Sequence, residues 1–249
     1  MSRTRRYLNR AVLAVARWVE HHGAIQPGTD LADSFGTFGA DSYVAHPTAT
    51  LYGARSIHVG SGTLIGKNAS LLVGYSPDDV DLPERGLVIG DRCVIGARAV
   101  ITAHESIEIG DDVWFGQNVF ISDASHGYQD PETPIGDQLG RHQPIVIGAG
   151  SWIGHGAVIL PGTTIGRNVV VAAGSVVRGH VEDHAVVAGV PAKVVRRFVP
   201  GVGWLSADGT DLRPMWTTAE VDAWLAGGPE PGTSGVALRV VQADGSVQA

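Results

Sequence analysis

The sequence predicts an all-β core, a parallel β-helix made of six-residue repeats, and the composition already favours such a fold. Glycine accounts for 34 of the 249 residues, against a usual share of about 7%. Valine (32) and isoleucine (15) together are about three times as numerous as leucine (15), and β-branched side chains prefer strands to helices. Hydrophobic residues make up 44% of the chain and charged residues 17%, so we expect a buried core rather than disorder.

A six-residue period gives the fold its detail. Aliphatic or aromatic residues recur in one phase in fifteen hexads, grouped as five triplets, and glycine follows directly in nine of them. Each hexad is expected to form a short strand that points this residue into the axis, with glycine relaxing the backbone at the corner. Three hexads complete a turn, and stacked turns pair about 4.8 Å apart. The repeated positions are Val59, Ile65, Leu71, Ile89, Ile95, Ile101, Ile109, Phe115, Ile121, Ile147, Ile153, Ile159, Ile165, Val171 and Val177.

Three insertions interrupt the repeat, and each follows the third hexad of a triplet. They are residues 77–88, the pair Ile107 and Glu108, and residues 127–146. Because the insertions share one position in the turn, we expect them to leave the prism at the same corner. Long loops at one corner can wall a binding site on an otherwise smooth surface.

The repeats divide the chain into three parts. Residues 1–34 form an N-terminal helix and lead-in, residues 35–198 form the β-helix, with residues 35–58 as a leading coil, and residues 199–249 form a small α/β extension. In the extension, Thr217 to Glu220 is a capping box that opens a helix through Leu225. We also expect a linker at Gly227 to Gly235 and a strand at Val236 to Val241.

The N-terminal residues 4–21 have the pattern of an amphipathic helix. Leu8, Val12, Val15 and Val19 share one face, whereas several arginines occupy another. We expect the apolar face to pack against the prism. Contact of residues 1–22 with a membrane surface or a lipid substrate is the alternative, since a basic amphipathic helix permits it.

Charge and cysteine usage exclude several classes of protein. The formal net charge is -7, which disfavours nonspecific binding to nucleic acid. Cys93 is the only cysteine, so an intrachain disulfide and a thiolate metal cluster are both excluded. The apolar run from Ala11 to Ala16 is too short to span a bilayer. We therefore expect a cytoplasmic location.

Two motifs, together with the repeat, resemble a known family. The five triplets, the histidine-bearing loop, Trp152 to Gly154 and the run Ala188 to Lys193 (AGVPAK) are similar to the hexapeptide-repeat acyltransferases. The resemblance is nearest to sugar O-acetyltransferases of the maltose and galactoside type and to actinobacterial polysaccharide-modifying enzymes. It implies a left-handed β-helix that forms a homotrimer, with coenzyme A bound between subunits. It also implies an acyl-CoA donor and no required metal.

The resemblance places a catalytic histidine at His126, at the mouth of the long loop. The chemistry agrees, because transfer of an acyl group to a hydroxyl needs a base that is neutral near pH 7, and unperturbed imidazole has a pKa of about 6.5. His155 stands where the family has an oxyanion-stabilising serine, so the oxyanion donor is either this side chain or a backbone N–H.

Further site residues follow from stacking and from the resemblance. Stacking brings His104 near Asp123, and both are candidate substrate contacts, as are Tyr128 and Asp130 in the long loop, which can bind a polyhydroxylated ligand. The resemblance places pantetheine near Trp152, Gly154, Ala172 and Ala173, and the nucleotide phosphates near Lys193 and Arg196, with Arg197 able to replace Arg196.

The resulting expectation is a coenzyme-A-dependent O-acyltransferase. The acceptor is a hydroxyl of a sugar, glycoside or oligosaccharide intermediate, and the donor carries acetyl or a longer chain such as octanoyl. Two alternatives remain. One is a metal-dependent lyase similar to the γ-carbonic anhydrases, whose paired histidines five residues apart are missing here, and the other is a non-catalytic β-helix scaffold.

Overall fold

The computed structural model describes residues 3–230 and shows a triangular parallel β-helix with a helix at its N-terminal side. The predicted strand at Val236 to Val241 lies outside the described residues. Helix α1 (Arg3–Gly23) leads into the short helix α2 (Asp30–Asp33). Among the described residues, no helix is long and apolar enough to cross a membrane.

Three faces make up the prism, and its strands are numbered here in chain order. Face B contains β1 (Thr37–Phe38), β4 (Ile57–Val59), β7 (Leu87–Ile89), β10 (Ile107–Ile109), β13 (Ile145–Ile147), β16 (Thr164–Ile165) and β19 (His180–Val181). Face A contains β2 (Tyr43–Val44), β5 (Leu64–Ile65), β8 (Val94–Ile95), β11 (Trp114–Phe115), β14 (Trp152–Ile153), β17 (Val170–Val171) and β20 (Ala185–Ala188). Face C contains β3 (Thr50–Tyr52), β6 (Ser70–Val73), β9 (Val100–Ala103), β12 (Phe120–Ser122), β15 (Val158–Ile159) and β18 (Val176–Val177).

The register of the strands confirms the predicted coils. Neighbouring strands within the prism are parallel, and residues of the repeated phase pair directly, as Leu71 with Ile101 and Ile101 with Ile121. These three side chains are fully buried. Burying one aliphatic side chain contributes about 1.5 to 3 kcal/mol, so stacked columns of this kind supply a continuous core along the axis. Cys93 is also fully buried, as expected for a core position.

The extension begins on the prism itself. Strand β21 (Lys193–Val199) pairs antiparallel with β20, and β22 (Gly203–Ser206) and β23 (Leu212–Arg213) continue face A. The extension's sheet therefore starts at Lys193, earlier than the predicted boundary at residue 199. Helix α3 (Thr218–Leu225) follows, and its Thr217 and Glu220 form the predicted capping box.

Helix α1 differs from the expectation that it packs against the prism. Residues 4–22 are all exposed, and the apolar side chains Leu8, Val12 and Trp18 are 63%, 65% and 60% exposed. One ion pair joins the helix to the prism, with Lys67 Nζ 2.6 Å from Glu20 Oε1. Among residues 3–230, no protein surface therefore covers the apolar face of α1.

Candidate active site

The two long insertions leave the prism where face C turns into face B, and together they enclose a cavity. The first loop follows β6 and the second follows β12. The cavity has a volume of about 370 Å³. The first loop contributes Tyr75, the coil corners contribute His104 and His126, and the long loop contributes residues 136–140 and His142.

Asp123 anchors the base of this cavity. Its side chain is fully buried, and its carboxylate oxygens accept hydrogen bonds from the backbone N–H of His104 at 2.8 and 3.0 Å and of Glu105 at 2.8 Å. Because an unpaired buried carboxylate is costly, these bonds stabilise its burial, and they join the end of β12 to the turn after β9. The prediction that Asp123 contacts substrate is replaced by a positioning role, since the carboxylate is out of reach of solvent.

His104 lies above Asp123 and stacks on a second histidine. Its Nδ1 is 3.6 Å from Asp123 Oδ1, and its ring lies 5.0 Å from the ring of His142 with 8° between the planes. Burial lowers the pKa of His104 below its ordinary value, although the Asp123 carboxylate acts in the opposite direction. The neutral imidazole of His104 faces the cavity and can donate or accept one hydrogen bond there.

His126 is the accessible base of the cavity. Its side chain is exposed, and its ring has no hydrogen-bond partner among residues 3–230. It lines this cavity and also a shallow neighbouring one of about 430 Å³ that includes Tyr128. An imidazole held at a cavity mouth with both nitrogens available can receive a proton from a bound hydroxyl.

The two predicted loop contacts, Tyr128 and Asp130, differ in their availability. Tyr128 is 78% exposed and stands beside His126 in the shallow cavity. Asp130 accepts hydrogen bonds from Thr133 Oγ1 at 2.6 Å and from the backbone of Glu132 at 3.0 Å, and these bonds hold its pKa below the usual value. Asp130 therefore shapes the loop, whereas Tyr128 is free to meet a ligand.

The predicted pantetheine residues lie at a different corner, where face A turns into face C. Trp152 is 53% exposed on face A, and Gly154 begins the turn. A Cβ atom at Gly154 would lie 2.5 Å from the backbone nitrogen of Ala173, so this close approach of two coils requires glycine. The N–H groups of Gly154 and Ala172 donate to the carbonyl oxygens of Val171 and Val187 in the next coil, so they are not free to donate to a ligand.

His155 occupies the same corner as Trp152. It is exposed, and its Nε2 lies 3.3 Å from Asn118 Nδ2. Strands β12 and β15 are neighbours on face C. His126 comes after β12, at the edge where the chain leaves this face, and His155 comes before β15, at the edge where the chain enters it. Within one chain the structure thus brings His104, Asp123 and His126 together and leaves Trp152 and His155 at the opposite edge.

The cations predicted near the nucleotide phosphates, Lys193, Arg196 and Arg197, all lie on strand β21. Their side chains are divided between its two faces. Arg196 Nη2 pairs with the carboxylate of Asp211 and its side chain is 18% exposed, so this guanidinium is already engaged. Lys193 and Arg197 are exposed, and a β-bulge in the pairing with β20 interrupts the alternation of side chains between them. The cations of this strand that are available to an anion are therefore Lys193 and Arg197.

Sequence reasoning missed two cavity residues, Tyr75 and His142. The hydroxyl of Tyr75 lies 2.6 Å from Nε2 of His142, and Ala124 pairs with His142 in an isolated bridge. Val73 pairs with Ala103, so Tyr75 lies at the same level of the turn as Glu105. The stacking of coils alone could therefore have predicted that Tyr75 lies at this corner. His142 was hidden, because no repeat register applies inside a twenty-residue insertion.

Comparison with known families identifies the repeat. The model described as "Bacterial transferase hexapeptide (six repeats)" matches residues 144–179, and the one described as "Hexapeptide repeat of succinyl-transferase" matches residues 86–123. Both segments lie within the prism. The first covers the coils that carry Trp152 and His155, and the second covers the coils beneath His126.

Curated relatives match parts of the chain. A probable acetyltransferase of Mycobacterium tuberculosis, Rv3034c, is 42% identical over 113 residues, which are 45% of this chain and 38% of that protein. The putative lipopolysaccharide biosynthesis O-acetyl transferase WbbJ of Escherichia coli is 39% identical over 97 residues, 36% of this chain and 50% of that protein. The galactoside O-acetyltransferase of Lactococcus lactis is 28% identical over 168 residues, 68% of this chain and 66% of that protein.

A solved structure with the same fold is AntD, an N-acyltransferase from Bacillus cereus in complex with dTDP and 3-hydroxybutyryl-CoA. It superposes with a TM-score of 0.55 at 21% identity, over 66% of this chain and 83% of AntD. At this identity the likeness concerns the fold alone. The hexads and the two family models identify hexapeptide repeats in this chain, its fold is a left-handed β-helix, and its sequence is similar to hexapeptide-repeat acyltransferases.

Proposed function

We propose that this protein is an acyl-CoA-dependent O-acyltransferase that acts on a hydroxyl of a sugar, glycoside or oligosaccharide intermediate. The observation that carries the proposal is the position of His126, an exposed imidazole at a cavity walled by two loops that leave the prism at one corner. Relatives named acetyltransferase, O-acetyl transferase and galactoside O-acetyltransferase support the reaction class.

The reaction follows from the role of His126 as general base. One ring nitrogen of His126 accepts the proton of the acceptor hydroxyl, while the oxygen of that hydroxyl attacks the thioester carbonyl carbon. The tetrahedral intermediate then collapses, the bond from carbon to sulfur breaks, and the coenzyme A thiolate leaves with the proton from His126. No covalent acyl-enzyme is needed, because the described cavity offers neither a thiol nor a serine paired with a base.

The separation of the two corners supports a site shared between subunits. His126 lies at one edge of face C, whereas Trp152 and His155 lie at the other. We place the acyl-CoA of one subunit at its Trp152 corner and the His126 that serves it on the next subunit of a homotrimer. In that arrangement His155 or a nearby backbone N–H is the oxyanion donor.

We assign a hydroxyl rather than an amine as the acceptor group because His126 is placed to act as a general base. An oxygen nucleophile must lose its proton as it attacks, whereas an uncharged amine attacks through its lone pair and loses the proton later. The AntD comparison shows that the same fold also serves an N-acyltransferase. Tyr128 beside His126 offers a ring on which a sugar face can stack.

The N-terminal helix extends the proposal to the place where the protein acts. The basic amphipathic α1 presents to an anionic membrane surface the apolar face that the other described residues leave uncovered. Its arginines suit the anionic headgroups, and its apolar side chains suit the lipid interface. The single buried cysteine fits a cytoplasmic protein, so we place it at the cytoplasmic side of that membrane.

The test is a screen of acyl donors against acceptors. The purified protein is offered acetyl-CoA and octanoyl-CoA with matched glycosides that differ only in carrying a hydroxyl or an amino group at one position, and products are identified by mass spectrometry. We expect a stable ester on the hydroxyl acceptor. Transfer only to the amino sugar would reverse the acceptor assignment, and no transfer to any pair would favour the scaffold alternative.

A further inference from the structure

A cluster of three side chains at the floor of the cavity has the composition of a metal site. His104, Asp123 and His142 each offer one ligand atom, and these atoms all lie within 4.8 Å of one another. We propose that these three residues bind a divalent transition-metal ion of the zinc class. The expectation that no metal is required came from the resemblance and did not include His142, which no sequence pattern had brought to this corner.

Two unpartnered nitrogen atoms are the first support. Nδ1 of His104 and Nδ1 of His142 are buried, and neither has a hydrogen-bond partner among residues 3–230. A buried polar atom without a partner costs about 1 to 3 kcal/mol, and such groups in folded proteins nearly always have one. A single ion bound by both nitrogen atoms would give each of them a partner.

Tyr75 prepares His142 for this role. Its hydroxyl oxygen lies 2.6 Å from Nε2 of His142. When Nε2 donates its hydrogen to that oxygen, the lone pair is left on the buried Nδ1. Metal-binding histidines usually donate their second ring N–H to a carboxylate, a backbone carbonyl or a water, which fixes the tautomer and the ring orientation, and the Tyr75 hydroxyl would do the same here.

Asp123 supplies an oxygen ligand that is already held in place. Oδ2 accepts hydrogen bonds from the backbone N–H groups of His104 and Glu105, whereas Oδ1 accepts one from His104 alone and so retains a lone pair for an ion. Two imidazole nitrogens and one carboxylate oxygen suit Zn²⁺, which can accept three protein ligands and keep a fourth position for water or substrate. His104 and His142 line the same cavity as His126, so a ligand for that fourth position would enter from this cavity.

The stacked rings define what must move when the ion binds. A bound metal lies near the plane of each imidazole, whereas the planes of His104 and His142 are 8° apart and separated by 5.0 Å between centroids. His142 belongs to the long loop and His104 to a coil corner that is bonded to Asp123. Binding is therefore expected to tilt the ring of His142 and to bring the loop closer to the prism.

The experiment uses the full chain, freed of metal with a chelator and titrated with Co²⁺ and Zn²⁺. We expect one ion per chain, visible cobalt absorption bands in the range of tetrahedral sites, and displacement of Co²⁺ by Zn²⁺. His142→Ala should weaken binding by at least about 100-fold. Tyr75→Phe, which removes only the outer contact, should weaken it by about 10-fold, within the range for such partners.

His126→Ala is the matched control, because His126 lines the same cavity but lies outside the cluster. It should bind Co²⁺ as the wild type does while losing acyl transfer, so failure of the metal proposal and failure of the proposed function are distinguishable. The fold of each variant is checked by its circular dichroism. Absence of binding to the wild type at 100-fold excess of ion over chain, or equal loss in His126→Ala and His142→Ala, would overturn the metal site.

Discussion

The hydroxyl of Tyr75 lies 2.6 Å from Nε2 of His142, and this one hydrogen bond joins the two loops that wall the cavity. The loops are inserted at different levels of the prism, yet both leave it at the same corner. The two residues lie 67 positions apart in the chain, so the bond closes a wall that no single insertion could build.

The first prediction concerns this bond. Tyr75→Phe keeps the ring and removes the hydroxyl, so the long loop should lose one restraint. A net hydrogen bond contributes about 0.5 to 1.5 kcal/mol, and we expect KM for the acceptor to rise by about 2- to 10-fold with little change for acyl-CoA. Steady-state kinetics with each substrate varied in turn measures this. Tyr52→Phe, on face C outside the cavity, is the control, and an increase confined to the KM of acyl-CoA would contradict the assignment.

The second prediction concerns the base. His126→Ala should lower kcat by about 100-fold or more, the range for loss of a general base, because no other exposed histidine lines the described cavity. Release of free coenzyme A is the measurement. His180→Ala, on the outer side of β19 with 60% of its side chain exposed, should retain full turnover. Unchanged kcat in folded His126→Ala protein would move the base to His104 or His155.

The prism itself was predictable from the sequence because each hexad repeats one local rule. An inward aliphatic residue such as Ile121 and a corner glycine such as Gly154 recur with the same period, so register and stacking follow without knowledge of distant contacts. The same register placed His104 next to Asp123. What it could not give was the direction of the Asp123 carboxylate, which turns inward to bind backbone N–H groups.

The parts that escaped prediction lack that periodicity. His142 lies in an insertion whose path is set by contacts such as those of Gln138 Nε2 with the backbone of Asp130 and Thr133, both at 2.8 Å. The engagement of Arg196 depended on Asp211, a partner in a hairpin that begins outside the repeats. In both cases the deciding contact is non-local and has no signature in the neighbouring sequence.

The third prediction separates the cations of strand β21. Replacing Lys193 and Arg197 by alanine should weaken binding of coenzyme A more than that of dephospho-coenzyme A, since the second ligand lacks the 3′-phosphate. Calorimetric titration of both ligands gives the two dissociation constants. Arg196→Ala should lower Tm through loss of its pair with Asp211 while leaving the ratio of the two constants unchanged. The reverse pattern would return Arg196 to the phosphate site.

The fourth prediction concerns the single thiol. Cys93 is fully buried, and burial raises the pKa of its thiol above the ordinary value, so the reactive thiolate is scarce at neutral pH. The folded protein should react with a thiol reagent at least about 100-fold more slowly than the protein in denaturant. A spectrophotometric thiol assay measures both rates. Rapid labelling of the folded protein would show that the coil at Cys93 opens, and it would also add a background to coenzyme A release assays.

The last prediction concerns helix α1. Its apolar face includes Val12 and Val15, 65% and 62% exposed, and a charge there should oppose insertion into a lipid interface. We expect the wild type to sediment with vesicles of anionic phospholipid and much less with vesicles of neutral phospholipid. Val12→Glu with Val15→Glu should lower the bound fraction at least about 10-fold, whereas Asn9→Glu, on the polar side of the helix, should lower it only modestly. Size-exclusion chromatography with light scattering is run in parallel on all three proteins. If the double variant loses its oligomeric state and the wild type ignores both kinds of vesicle, the apolar face of α1 packs against another copy of the chain instead of a membrane.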